Sequence, residues 1–239
     1  MTGTKLVVCA DDAGLARSTD DAILRCCREG IVRTVSVIAG GPTAEEFLER
    51  AAGIEVGLHV NLTEGPALTG AAPTLTDRDG VFRGGKTEAW ARLDQFDPDE
   101  VAREVAAQWE WLCTRARPRH VNGHNHVHVF RPVREALPES CHVRVPSDPG
   151  LPEVITSRVR GGSCHFTGHD FCVDPTERVF LRSVREPWTE FMVHPGTRPG
   201  AAFTEAPERD RETDVLCSLA LRAALDARGI ELACFGDLA

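Results

Sequence analysis

The sequence predicts an α/β fold: a single-domain (β/α) barrel-like structure around a parallel sheet core, with incomplete or distorted closure allowed. Three observations predict it. Short apolar runs and longer amphipathic stretches alternate about seven times, the pattern of parallel βαβ units. The chain has 239 residues, a length that α/β barrels reach as one unit, so residues 1–239 are read as one domain. Finally, Asp11 and Asp12, His59, His124 and His194 fall at or just past the C-terminal ends of the apolar runs. In a barrel those ends converge on one face, whereas an open doubly wound sheet draws its site from fewer strands. The barrel is the favoured reading.

Taken in order, Lys5 to Ala10 is a buried strand that stops abruptly at Asp11-Asp12-Ala13-Gly14. Ser18 and Asp21 read as N-cap and capping-box partner of a helix ending before Gly30. Thr34 to Ile38 is the second strand, and Thr43 and Glu46 cap a helix through Ala52. Glu55 to Leu62 is the third strand, with His59 near its end. Thr63 to Lys86, rich in Gly, Pro, Thr and Asp, is a long loop able to cover a site. At Asp97-Pro98-Asp99-Glu100 a cap, an N1 proline and an N3 acid coincide, opening a long helix to Arg115. Beyond Arg117-Pro118, His120-Val121-Asn122 is a short buried strand. Pro132 opens a short helix to Leu137, and Cys141 to Val145 is a strand. Pro146 to Asp174 is Gly-rich with weak signal, and Asp174-Pro175-Thr176-Glu177 is another helix start. Glu190 to His194 is a strand ending at Pro195-Gly196. Asp214 to Arg228 is a helix stopped by Gly229, and Ile230 to Phe235 is the last strand.

Composition excludes several classes. With 27 basic against 36 acidic residues and a net charge of −9, nucleic acid is not an expected partner. No apolar run reaches membrane-spanning length and no charged-then-apolar leader opens the chain, so a cytoplasmic protein without a membrane partner is expected. A homodimer is compatible with the sequence. Nine cysteines, none in a CxxC pair, read as small buried hydrophobes in a reducing compartment; Cys9, Cys113, Cys141 and Cys234 sit in apolar contexts. GxGxxG and GxxxxGK[ST] are absent, which argues against a nucleotide site.

Four of the nine histidines lie between His120 and His128. In extended backbone His124, His126 and His128 would share one face. They are either hydrogen-bonded strand-end residues or part of a metal site. The second is favoured, because clustered neutral imidazoles without an ion need many partners. The cluster lacks a carboxylate; Asp11-Asp12 provides a pair, although such a dipeptide alone is more often a turn. Cys164-His165, His169 and Cys172 match no zinc-finger spacing and read as coincidence. Trp90 and Trp188 are candidate platforms for a sugar ring, and the chain has no tyrosine.

Four segments, Ala10 to Leu15, Gly57 to Gly65, His120 to His128 and His194-Pro195-Gly196, resemble the motifs of the YdjC-like carbohydrate deacetylases. Gly30 to Ser36 fits as well, so the resemblance runs from Lys5 to Phe235 in order. It implies a barrel-like α/β fold and one divalent metal ion, Zn²⁺ or Mg²⁺, with Mn²⁺, Co²⁺ or Ni²⁺ as alternatives. Asp12, His59 and His124 would be its ligands, Asp11 the general base and His194 the general acid. Arg144, in Val143-Arg144-Val145-Pro146, matches a family arginine beside the catalytic carboxylate. The chain departs from the pattern at Asn122-Gly123-His124-Asn125-His126, where the family usually shows Asp-Ser-His-His-His, and at Ala13, where it usually has Phe.

These residue types suit amide hydrolysis. It needs an activated water, stabilisation of the carbonyl oxygen and a proton for the leaving amine. The expected reaction is removal of an N-acetyl group from a small sugar or oligosaccharide, giving acetate and a free amine. Two alternatives stand beside it: another metal-dependent hydrolase, such as an amidohydrolase or phosphoesterase, and a non-catalytic carbohydrate or metal binder.

Overall fold

Strand β1 (Lys5–Ala13) is buried from Leu6 to its end because both of its faces are covered. Leu6, Val8 and Ala10 join the main apolar core with the helices, while Val7 and Cys9 turn inward against Ala233 and Phe235. The computed structural model describes residues 3–138, 141–144, 165–196 and 208–238. Around β1 run β2 (Thr34–Val37), β3 (Glu55–Val60), β4 (His120–Gly123), β5 (His142–Val143), β6 (His165–Thr167), β7 (Trp188–Val193) and β8 (Glu231–Ala233). All pairings are parallel, in the order β5-β4-β3-β2-β1-β7-β6, with β8 on β1. The first half of β1 pairs with β8 (Lys5 to Glu231) and the second half with β2 (Cys9 to Thr34). This is a curled, distorted barrel, and among the described residues no pairing joins β5 to β6.

Helices α1 (Arg17–Arg28), α2 (Ala44–Arg50), α3 (Gly85–Ala91), α4 (Pro98–Cys113), α5 (Arg131–Ala136), α6 (His169–Val173), α7 (Glu177–Ser183), α8 (Glu208–Leu216) and α9 (Leu219–Ala227) connect the strands. The sequence-derived start of α4 is observed: Asp97 accepts the N–H groups of Asp99 at 2.8 Å and Glu100 at 3.1 Å. Three expectations are corrected. Helix α1 starts at Arg17 without a side-chain cap, so Ser18 and Asp21 form no capping box. Asp20 accepts the Gly14 N–H at 2.8 Å instead, and Asp21 pairs with Arg50. Thr43 stands at the start of α2 but its side chain caps nothing, and Glu46 pairs with Arg17. The last helix is two, broken where Ser218 caps α9 by accepting the Leu221 N–H.

The segment from Thr63 to Lys86 is tied down along its length. Glu104 accepts the N–H groups of Leu68 and Thr69, and Glu100 accepts the N–H and hydroxyl of Thr74. Only its two ends, Glu64 and Lys86, reach the pocket described below. The cysteine reading holds for Cys9, Cys26 and Cys141, which are buried, and fails for Cys113, exposed at the end of α4.

Beyond Val7, Cys9, Ala233 and Phe235 the barrel interior is largely polar, unlike the usual run of branched apolar layers. His120, fully buried, meets Ser36 Oγ at 3.0 Å, and the Phe235 ring lies against it and against His142 at 4.3 and 4.5 Å. Phe235 thereby fills the N-terminal end of the barrel. Gly57 is the residue that admits the His120 ring, since a Cβ there would lie 2.4 Å from it. Gly57→Ala is expected to destabilise the fold by about 1–3 kcal/mol through overpacking, because Phe235 and Ser36 hold the ring in place. The urea midpoint measures it; an unchanged midpoint would show that the ring has room to yield.

Candidate active site

Adjacent residues of a regular strand point to opposite faces, so a strand cannot by itself turn two consecutive carboxylates to one site. Strand β1 does so with a bulge. Its register against β2 slips between Ala10 and Ala13, and Asp12 takes a left-handed φ of 69°. Both carboxylates, each 1% exposed, then face the C-terminal mouth of the barrel.

Asp11 is clamped from below. Arg144, itself 1% exposed, donates to both Asp11 oxygens, with Nη2 to Oδ1 at 2.9 Å, and its Nε donates to Glu190 Oε1 at 2.5 Å. Burial pushes the Asp11 carboxyl up, but the Arg144 guanidinium, followed by His59 and His194, carries it well below the ordinary range. Asp11 is therefore a carboxylate at any neutral pH. Its Oδ1 also accepts from Asn122 Nδ2 at 3.1 Å, and the same amide donates to Ser36 Oγ at 2.7 Å.

That orientation of Asn122 fixes a second histidine. With its nitrogen turned to Asp11, Asn122 offers Oδ1 to His59 Nδ1 at 2.6 Å, so His59 carries its proton on Nδ1. Its Nε2 then looks at Asp12 Oδ1, 3.3 Å away. His124 Nδ1 lies 2.8 Å from the same oxygen. Asp12 Oδ2 receives Arg209 Nη2 at 2.7 Å. Burial would raise the Asp12 carboxyl, but His124 and Arg209 hold it well below the ordinary range. His124 is drawn down by burial and up by Asp12, the second prevailing to give about 9.

One ligand atom from each of Asp12, His59 and His124 lies within 4.8 Å of the others. This set fits a divalent ion on two further counts. His59 Nε2 faces Asp12 Oδ1 at 3.3 Å while its Nδ1 is engaged by Asn122, which leaves Nε2 as the ring nitrogen turned to the site. His124 Nε2 is buried without a hydrogen bond, 3.5 Å from Glu64 Oε1. His194 enters from the end of β7, its Nε2 4.0 Å from Asp11 Oδ2. Burial draws it down to about 4.

The six predicted residues, Asp11, Asp12, His59, His124, Arg144 and His194, are thus brought together by five strand ends. Five of them line one pocket of 130 Å³, and Arg144 lies beneath it. A wider groove of 470 Å³ around Ile54 and Arg117 holds none of them. Three residues of the site were missed: Arg209 from α8, Glu190 from β7, and Glu64 from the start of the tied loop. Arg209 lies in an unbroken polar stretch, ERDRETD, which reads as a solvated helix face.

The histidine run itself departs from expectation. His124–Val129 is a short 3₁₀ segment in which Asn125 and His126 take left-handed φ values of 53° and 60°. His124, His126 and His128 therefore do not alternate along an extended strand. His126 Nε2 meets His169 Nε2 at 3.2 Å, while His128 is buried with neither ring nitrogen hydrogen-bonded. Trp90 is no open platform: its Nε1 donates to the Asn125 carbonyl at 3.0 Å and its ring packs edge-on to Phe130. Trp188 packs with Val7, Cys9, Ala233 and Phe235, at the opposite end of the barrel from the pocket. Of the loosely grouped Cys164, His165, His169 and Cys172, the first lies outside the described residues and Cys172 turns to His194 Nδ1 at 3.2 Å. No described helix is long and apolar enough to cross a membrane.

Known proteins resemble the chain over nearly its whole length. A carbohydrate deacetylase of Brevibacillus brevis is 29% identical over 98% of this chain and 99% of its own length. A chitooligosaccharide deacetylase of Klebsiella pneumoniae is 27% identical, with 98% of both chains covered. In structure, a putative cellobiose-phosphate cleavage protein of Enterococcus faecalis superposes with a TM-score of 0.81 at 20% identity, covering 99% of both chains. The model of the YdjC-like protein family matches residues 5–227, and the chain belongs to that family.

Proposed function

We propose that this protein is a metal-dependent hydrolase that removes the N-acetyl group from a small sugar or oligosaccharide, releasing acetate and a free amine. The observation that carries the reading is the division of labour at the β1 bulge. Asp12 is turned to two imidazoles, while Asp11, one residue earlier, is kept apart from them by Arg144 and Asn122. The deacetylase relatives named above support the reaction class.

In this reading Asp12, His59 and His124 hold one divalent ion, with Zn²⁺ favoured by the two nitrogens and Mg²⁺, Mn²⁺, Co²⁺ or Ni²⁺ as alternatives. When bound there, the ion supplies a Lewis acid that acidifies water and polarises an amide carbonyl. Asp11, held ionised by Arg144, accepts the proton that water gives up as it attacks. His194, on the other side of Asp11, gives its proton to the departing nitrogen. Negative charge growing on the amide favours the protonated imidazole that burial alone disfavours. Glu190 shares the Arg144 charge, so Asp11 is held in place without being fully neutralised.

A pocket of 130 Å³ suits an acetyl group and part of one ring rather than a length of polymer. Among sugars, we infer an N-acetylglucosamine-type ring, on the strength of the chitooligosaccharide relative. The reducing cytoplasm is the proposed setting, supported by eight described cysteines that are all free thiols. A panel of N-acetyl sugars, short chitooligosaccharides and polymeric chitin, assayed for acetate with several metals, tests the proposal. Acetate from the short members is expected. Activity on the polymer alone would contradict the substrate class, and no acetate from any member would favour a sugar-binding protein.

A further inference from the structure

Behind His194 lies a second group of donors that the reaction above does not use. Cys172 in α6, His194 and Glu212 in α8 bring a sulfur, an imidazole nitrogen and a carboxylate oxygen within 4.8 Å of one another. Cys172 Sγ is 3.2 Å from His194 Nδ1, the nitrogen turned away from Asp11. Glu212 is 1% exposed and accepts the His194 backbone N–H on Oε2 at 2.7 Å. Among the described residues it has no ion-pair partner, since Arg209, three residues earlier on the same helix, is engaged by Asp12. Burial pushes the Glu212 carboxyl up and prevails over the Arg209 guanidinium, which draws it down, and a cation bound among Cys172, His194 and Glu212 would offset that burial.

We propose that Cys172, His194 and Glu212 form a second metal site, separate from Asp12, His59 and His124 and suited to a soft divalent ion such as Zn²⁺ or Cd²⁺. The thiolate selects such an ion over Mg²⁺ or Ca²⁺, which prefer all-oxygen shells. On binding, a metal–sulfur bond forms and the Cys172 thiol proton passes to solvent. One thiolate and one carboxylate then balance the double positive charge, and the neutral imidazole adds none. Three protein ligands leave the usual fourth position of zinc open, which marks an exchangeable ion rather than a structural one. The consequence for turnover rests on the proposed function. An ion on Nδ1 leaves His194 unable to take up a second proton there, so it can no longer cycle as the acid, and excess Zn²⁺ inhibits.

Cadmium titration of the full chain, already loaded with one equivalent of Zn²⁺, tests the site without an activity assay. A sulfur-to-cadmium charge-transfer band in the ultraviolet is expected to grow and saturate at one further equivalent. Cys172→Ser is expected to abolish it. Cys217→Ser is expected to keep it, although Cys217 and Cys26 form a close thiol pair at 3.8 Å. His124→Ala, titrated without prior Zn²⁺, is expected to keep the band as well, so failure of the first site and failure of this one give different results. Glu212→Gln should weaken cadmium binding more than about 10-fold, the lower end of the effect of altering groups around a metal. It carries the test should Cys172→Ser not fold by circular dichroism. A band that persists in Cys172→Ser, disappears in Cys217→Ser, or is unweakened in Glu212→Gln would overturn the proposal.

Discussion

Asp11→Asn is expected to lower kcat on an N-acetylated sugar by about 10²- to 10⁴-fold while metal content stays at one ion per chain. The substitution keeps the shape of the side chain and removes its capacity to accept a proton. It removes none of the contacts among Asp12, His59 and His124, and Ser36 still accepts from the Asn122 amide that orients His59. Arg144 would lose one of its two carboxylate partners but keep Glu190, so a fall in melting temperature is expected as well. The two effects separate cleanly: kcat is measured well below the variant's own Tm. Near-normal kcat with a competent substrate would remove Asp11 from the mechanism.

His124→Ala is expected to abolish both bound metal and turnover. Three protein ligands are few, and losing one leaves a single imidazole and a carboxylate that Arg209 already neutralises in part. The same contact predicts that the fold survives, because Asp12 is not left as an unpaired buried charge. Elemental analysis of wild type and variant after gel filtration is the check. Equal metal content in both would sink the ligand assignment.

How legible all this was in the sequence depends on how local each feature is. Strand β1 and helix α4 could be read because their signals are contiguous: an apolar run cut off by two acids, and a cap followed by proline and an acid. The start of α1 could not, because Asp20 gives its carboxylate to the Gly14 N–H across the turn, a contact with no counterpart in capping patterns. The β1 bulge is invisible for a related reason. Nothing in Asp11-Asp12 says that the second will take a left-handed φ, yet that angle lets both face one pocket. The turn at Asn125-His126 is the same kind of surprise, two left-handed residues with side chains where an extended run was expected.

The site residues divide along the same line. His59, His124 and His194 stand out by their places at or just past strand ends, and their roles were assigned through the family resemblance. Arg144 was found through the family resemblance rather than from its surroundings. Glu190 and Arg209 look like any charged residue on a strand or polar helix; only the folded chain shows one sharing Arg144 and the other sharing Asp12. The polar barrel interior explains part of this. Ser36, His120 and Asn122 alternate with Val35, Val37 and Val121, so these strands carry chemistry on one face and core on the other.

The most direct test of the central claim is acetate release from an N-acetylated disaccharide by the same protein before metal removal, after stripping with a chelator, and after reloading. The account predicts one free amine for each acetate, no release above background from stripped protein, and recovery on adding back one equivalent of Zn²⁺ or another divalent ion. Acetate released at an undiminished rate by protein that elemental analysis shows to be metal-free would contradict it.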